Sequence, residues 1–275
     1  MNGRLHRAVD RLGRLPGVLQ WRRRQFSKLF QAGRAIGCCQ GLFASHAQAA
    51  SACPTARPLG YDHAAGASMY RDRTHTVYPA DYPMMLWLHN AFDDGVRKVF
   101  DLGGHVGVAY YAYQKLIPFP TDVTWSVHDV PAVMEAGRKE ALQRDPTGQL
   151  VFVDSFDAAA EADLLFTSGC HQYLQDTLVQ RLASLRQKPR WVLVNLLPLH
   201  PRYDYWTVQS IGTAFCPYHI QQSDAFFSTI EQLGYSRIDT WENLEKDCWI
   251  AFEPQHSLDR YFGAAFKLNT PTVQT

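Results

Sequence analysis

The period of hydrophobic and polar positions changes along this chain. From Arg97 onward, short apolar runs alternate with segments of helical spacing. The runs Lys98–Leu102, Val123–His128, Gln149–Val153, Ala162–Thr167 and Arg190–Leu196 are expected to be strands. The last is an unbroken Val, Leu and Trp run, the character of a parallel strand buried on both faces. Between them, Val108–Leu116, Ala132–Gln143 and Leu174–Ser184 read as helices. Ser223 is placed to cap a helix over Asp224–Leu233, which Gly234 ends. Late strands are expected at Tyr235–Trp241, Asp247–Phe252 and Gly263–Leu268. This order predicts an α/β fold: a Rossmann-like, doubly wound, mostly parallel sheet with an antiparallel C-terminal edge, preceded by an N-terminal helical extension.

The extension reads differently. In residues 1–34, Leu5, Val9 and Leu12 recur at helical spacing, as do Phe26, Leu29 and Phe30, with a break near Pro16-Gly17. The segment holds nine of the chain's 27 Lys and Arg but one of its 26 Asp and Glu. A basic amphipathic arm of this kind either lies on an anionic membrane surface or docks on its own domain or on a partner. Arg23-Arg24-Gln25-Phe26-Ser27-Lys28 imitates a twin-arginine export signal, and Ala47-Gln48-Ala49 a cleavage site. Gln31, Arg34, Gln40 and His46 interrupt the apolar stretch such a signal needs, so export is disfavoured.

Residues 35–77 form a mixed cap region. Phe43–Ala52 is alanine-rich and predicts a short helix ending before Pro54; a loop follows to Gly60, and His63–Arg73 suggests another helix. This region is expected to pack over a cleft or to build a homodimer face. Tyr78–Pro83 introduces a helix over Met84–Phe92 that stops at Asp93-Asp94-Gly95. The main domain is thus placed at 78–275, with a long insertion at about 198–222.

Composition narrows the class. With 275 residues, 46% apolar and 19% charged, the chain has ample material for a large core. A net charge of +1 gives no nucleic-acid signal. Cys38, Cys39, Cys53, Cys170, Cys216 and Cys248 include no C-x-x-C pair and no zinc spacing, so no metal is expected; they read as free thiols of a reducing compartment. No apolar run has the length of a bilayer span. The expected location is cytoplasmic, with the arm offering contact to the inner face of the membrane.

The candidate chemistry centres on Val99-Phe100-Asp101-Leu102-Gly103-Gly104-His105-Val106-Gly107: strand, glycine turn, helix. In doubly wound sheets, ligands bind outside the carboxyl ends of the strands. The turn does not have G-x-G-x-x-G spacing. Asp101 at the strand tip would repel a pyrophosphate and suit a cation, such as the ammonium group of S-adenosyl-L-methionine. Asp129, about 20 residues past Gly107, is placed either to accept from ribose hydroxyls or to cap the next helix.

Residues 99–107 resemble motif I of the class I S-adenosylmethionine-dependent methyltransferases, and the resemblance implies a Rossmann-like seven-stranded sheet. The longer stretch from about Tyr78 through Gly212-Thr-Ala-Phe-Cys-Pro-Tyr218 resembles a bacterial group of largely uncharacterised methyltransferases. That motif usually has glycine where His105 stands. The resemblance implies cofactor contacts from Asp101, Gly103, Gly104, Gly107 and Asp129, whose Asp129-Val-Pro string is similar to the Asp-Leu-Pro of small-molecule O-methyltransferases. It also implies an adenine site at Asp154 and Phe156, with Ser168 lining the same crevice. Asp154 is equally readable as an ordinary turn aspartate.

Methyl transfer requires chiefly in-line positioning, with a base where the nucleophile is an oxygen or nitrogen. His171, near where several O-methyltransferases keep a base, and His200 are the catalytic candidates, with His105 a third; each is equally readable as structural. The aromatic-rich insertion suits a lid over an acceptor pocket or packing against the N-terminal helices. Cys216 lacks any motif of a nucleophile. The expectation is methyl transfer to a small-molecule acceptor, at oxygen. Two alternatives are a non-catalytic interaction protein on this fold and an NAD(P)-dependent oxidoreductase.

Overall fold

The computed structural model describes residues 16–63 and 71–269. In chain order its helices are α1 (Pro16–Gln31), α2 (His46–Ala52), α3 (Tyr82–Asp93), α4 (Val108–Tyr113), α5 (Pro131–Arg144), α6 (Leu178–Ser184) and α7 (Ser223–Gln232). The strands are β1 (Cys38–Phe43), β2 (Lys98–Leu102), β3 (Thr124–His128), β4 (Leu150–Phe152), β5 (Leu164–Ser168), β6 (Trp191–Leu197), β7 (Leu199–His200), β8 (Tyr205–Ser210), β9 (Phe215–Gln222), β10 (Tyr235–Asn243) and β11 (Tyr261–Leu268). They divide between two compact units. The larger comprises 62–197, 224–243 and 262–275; the smaller comprises 1–61, 198–223 and 244–261.

The larger unit is the expected Rossmann-like sheet of seven strands, in the order β10-β11-β6-β5-β2-β3-β4. β2, β3, β4, β5 and β6 run parallel, and β11 returns antiparallel against β6. Such an order follows from a chain that winds outward from β2 through β3 to β4, then crosses to β5 on the other side of β2. The switch point lies between β2 and β5, where crevices open at the carboxyl ends of strands. Every residue of β6 is buried, as its apolar run predicts. Beneath the sheet, Trp125 packs with Phe119 (ring centroids 5.6 Å, stacked), Tyr110 and Phe166, within a core that also takes Met84 and Leu88 of α3.

The smaller unit is where expectation and structure part. The insertion at 198–222 is not a loop but β7, β8 and β9, which with β1 form a four-stranded sheet, β1-β8-β9-β7. β8 and β9 pair antiparallel from Tyr205↔Ile220 to Ser210↔Phe215 across a turn in which Gly212 takes φ +93°. Pro217 hides this hairpin in the sequence, since proline demotes a strand. It is tolerated because β7 pairs with β9 only at Gln221 and Gln222, leaving the second edge of β9 at Pro217 without a ladder to break. The segment Asp247–Phe252 is not a strand. Cys248 and Ile250 make single bridges to Leu258 and Cys39, and Phe252 then turns into the left-handed region at φ +63°.

The N-terminal half of this unit also corrects the expected pattern. α2 starts at His46, after Ser45, whose hydroxyl accepts from the Gln48 N–H; Phe43 belongs to β1. α1 docks by Phe26 and Phe30 against Phe252, Trp249 and Phe215, so docking on its own domain holds for this face. Arg23 reaches Glu253 at 3.6 Å and lies over the Phe252 ring. The Leu5, Val9 and Leu12 stripe lies outside the described residues, as does most of the helix expected over His63–Arg73; Arg71–His75 is a 3-10 turn. Among the described residues, no helix is long and apolar enough to cross a membrane.

Candidate cofactor site

Register brings the site together. In the larger unit Leu102 is level with His128 and Thr167, and Ser168 with Asn195. Gly103, Asp129, Ser168 and Asn195 therefore mark neighbouring strand tips on both sides of the switch point. The backbone ties them further: Gly103 N–H donates to His128 O (2.8 Å), Gly169 N–H to Asn195 O (3.0 Å), and the Thr167 hydroxyl to Leu102 O (2.9 Å).

The turn after β2 is built from left-handed backbone. Gly103 (φ +74°), His105 (φ +55°) and Gly107 (φ +89°) all take it. A Cβ on Gly103 would overlap Cys170, and one on Gly104 would overlap the Asp101 carboxylate. These glycines are thus required by the turn's own packing. His105 occupies a conformation that glycine adopts freely and other residues adopt at a cost. Its N–H donates to Asp129 Oδ2 at 2.9 Å, which holds the turn despite the substitution.

Asp101 does not project into an open crevice. It is 1% exposed beneath Gly104, and the Trp125 indole N–H donates to its Oδ2 at 3.0 Å. No cationic side chain pairs with it among the described residues. Burial pushes its pKa up to about 7; the Trp125 bond offsets part of this and the Asp129 carboxylate adds to it. The tip of β2 is therefore a buried carboxyl lying under the turn, its pKa raised by burial, not the open, solvated acid the sequence suggested.

Asp129 is not a helix cap. Val130 takes the N-cap position of α5 with no side-chain bond, while Asp129 Oδ1 accepts from the Val130 N–H (2.7 Å) and Oδ2 from His105. Each carboxylate oxygen has a second lone pair to offer. Burial raises the Asp129 pKa, and the two backbone N–H bonds counter it.

The outer positions are less enclosed. Asp154 is exposed and pairs with Arg138 at 2.6 Å. Phe156 is buried edge-on against Phe100 (5.5 Å), with the Arg181 guanidinium 5.3 Å from its ring centre. Ser168 ends β5, and Gly169 follows in the left-handed region at φ +71°. Burial, with the Asp129 and Asp101 carboxylates, pushes the Cys170 thiol well up, so it is no nucleophile at neutral pH. Cys216 is likewise buried, in the smaller unit, its thiol pushed up to about 12.

The two candidate histidines lie in different units. His171 follows β5 in the larger unit, 2% exposed, with its ring 5.9 Å from that of Phe226 on α7. His200 belongs to the smaller unit, and both of its ring nitrogens meet backbone groups. Its Nδ1 accepts from the Arg202 and Tyr203 N–H groups, both at 3.0 Å, which leaves Nε2–H to donate to Gln255 O at 2.9 Å. Burial lowers its pKa, and both ring nitrogens are engaged in hydrogen bonds.

Trp125 and Asn195 escaped the sequence reading. Asn195 Nδ2 donates to Ala80 O, while its Oδ1 accepts from Trp241 Nε1 and Asn243 Nδ2, all within 3.0 Å. Its signal was an asparagine inside an otherwise apolar strand, where a buried amide must be satisfied.

No protein-family model matches the sequence, and no curated protein does. Among solved structures, the chain is similar to the 1,6-didemethyltoxoflavin-N1-methyltransferase of Burkholderia thailandensis, solved with 1,6-didemethyltoxoflavin and S-adenosylhomocysteine (13% identity over 75% of this chain and 83% of that one, TM-score 0.48). It is similar to an O-methyltransferase family protein from the same organism (16% identity, 70% and 57%, TM-score 0.45). It is also similar to human N-acetylserotonin methyltransferase in complex with S-adenosylmethionine (14% identity, 74% and 58%, TM-score 0.40). The chain thus spans little more than half the length of the last two. Likeness at this level concerns the fold alone. The Rossmann-like strand order above, with its antiparallel β11, is read from this chain's own strand pairing.

Proposed function

We propose that this chain is an S-adenosylmethionine-dependent methyltransferase acting on a small-molecule acceptor, at an oxygen atom. The observation that supports it most is Asp101: a buried carboxyl under the glycine turn, beside a second carboxylate and with no cation among the described residues to answer it. Such a pair repels a pyrophosphate and favours a positively charged ligand. α4, the helix after the turn, has six residues and begins at Val108 after Gly107 at its N-cap, too short to offer a dinucleotide its usual anion site. The donor set therefore suits a cationic nucleoside and not NAD(P).

In this reading, Gly103, Gly104 and Gly107 shape the turn that receives the methionine end. The spare lone pairs of Asp129 accept from ribose hydroxyls, and Phe156, Asp154 and Ser168 border the adenine. When bound, S-adenosylmethionine supplies an already activated methyl group. What remains for the protein is to align the acceptor and exclude water. His171, buried just after β5 in the same unit as the glycine turn, is the base this reading retains.

Isothermal titration of the folded protein with S-adenosylmethionine, S-adenosylhomocysteine and NADPH tests the reading. Binding of the first two, lost in Asp101→Ala, is expected. Binding of NADPH alone, or binding unchanged in Asp101→Ala, overturns it.

A further inference from the structure

α1 uses only part of its circumference to dock. Phe26 and Phe30 seal one stripe against Trp249, Phe252 and Phe215 of the smaller unit. Val18, Trp21, Gln25 and Leu29 follow one another at intervals of three and four, so they form a second stripe of the same helix. It faces water: Val18 is 44% exposed, Trp21 61% and Leu29 47%. Large apolar side chains set together on an exposed helix face mark an interaction surface.

Charge says which partner. Arg24 and Lys28, both exposed, border this stripe, and α1 contains no acid. Residues 1–34 as a whole carry nine Lys and Arg against one acid. A protein partner would be recognised by a shaped apolar seam. Here one tryptophan and two aliphatic side chains share a narrow stripe with a glutamine and are flanked by long cationic stems. That combination matches the headgroup boundary of an anionic bilayer, where tryptophan sits at the interface and Lys and Arg stretch to lipid phosphates.

We infer that α1 is a peripheral membrane anchor: its Val18-Trp21-Leu29 stripe enters the interface of an anionic bilayer while Phe26 and Phe30 keep it attached to the smaller unit. It stands independently of the cofactor reading.

The test is sedimentation of the full chain with vesicles of phosphatidylcholine mixed with phosphatidylglycerol, and with phosphatidylcholine alone. Binding to the mixed vesicles is expected, at least about tenfold stronger than to the neutral ones and weakened as salt is raised. Trp21→Glu with Leu29→Glu is expected to reduce it by about tenfold or more. Both side chains are exposed, so the melting temperature of the double variant should match the parent's. Three results overturn the inference: no binding to the mixed vesicles, binding indifferent to phosphatidylglycerol, or binding that the double variant retains. The last would make the arm a segment that binds polyanions through charge alone. Cofactor titration of the same samples is a separate readout, so failure of either reading is distinguishable from failure of the other.

Discussion

Gly104 covers the Asp101 carboxylate so closely that a Cβ at position 104 would overlap its Oδ2. The acid and the glycine are thus one device: the turn seals the carboxyl from water, and sealing raises its pKa to about 7. In the unfolded chain the same carboxyl ionises near 3.8. Between those values the folded protein holds a proton that the unfolded chain has released, so stability falls as pH rises from about 4 to about 7 and then levels off. Asp101→Asn removes this dependence. Relative to the parent it is expected to gain on the order of 2 to 4 kcal/mol between pH 4 and pH 8. Urea midpoints at both pH values check this; parallel behaviour of parent and variant would refute it.

The same linkage governs ligand affinity. A positive charge brought beside Asp101 draws its proton off, so binding favours the ionised form. With a pKa of about 7, that form rises about tenfold from pH 6 to pH 8. S-adenosylmethionine is expected to bind about tenfold more tightly at pH 8 than at pH 6, and Asp101→Asn to flatten the profile. Titration calorimetry in two buffers of different ionisation enthalpy detects the proton released.

Gly103 and Cys170 interlock where β2 and β5 end. Gly103→Ala sets a Cβ into Cys170 at φ +74° and should cost at least about 3 kcal/mol. Cys170→Ala cannot relieve the clash, because the Cys170 Cβ itself is in the way. Cys170→Gly should recover part of the loss, leaving roughly 1 kcal/mol for the left-handed alanine. Thermal melts of the two double variants distinguish these outcomes.

His105 carries two opposing effects. Its ring is buried, and its backbone is left-handed at φ +55°. His105→Ala loses the ring and keeps the backbone cost; His105→Gly loses both. The glycine variant should therefore be the more stable of the two by about 1 kcal/mol. Equal denaturant midpoints would show that the turn does not impose this conformation.

His200 is expected to stay neutral below the usual histidine range, because burial opposes its charge. Its contribution to stability is present at neutral pH and lost as pH falls, since the unfolded chain then binds a proton the folded protein refuses. His200→Ala, which leaves the Arg202 and Tyr203 N–H groups without their acceptor, should cost about 2 kcal/mol. Nitrogen-15 shifts of the ring would show the Nε2–H tautomer through neutral pH; an Nδ1–H form would contradict the bonding described.

Much of the larger unit was legible because its signals are local. Lys98–Leu102 was delimited to the residue by apolar run and glycine turn, and Gly103 and Gly107 announced backbone that other residues avoid. The smaller unit was not legible. Its sheet joins β1 to strands about 170 residues later in sequence, beyond the reach of any periodicity. Pro217 disguised β9, and Phe43 read as the start of an alanine helix when it ends a strand.

By itself, the sequence determined which elements exist around the first glycine turn, their parallel alternation, and which acids stand at strand tips, since period and turn chemistry are properties of neighbouring residues. Only the tertiary structure decided what those acids are. It buried Asp101 under Gly104 and bound Asp129 to the His105 N–H. It also spent both nitrogens of His200 on backbone. Protonation and reactivity depend on desolvation and on partners distant in the chain, and folding alone brings those together.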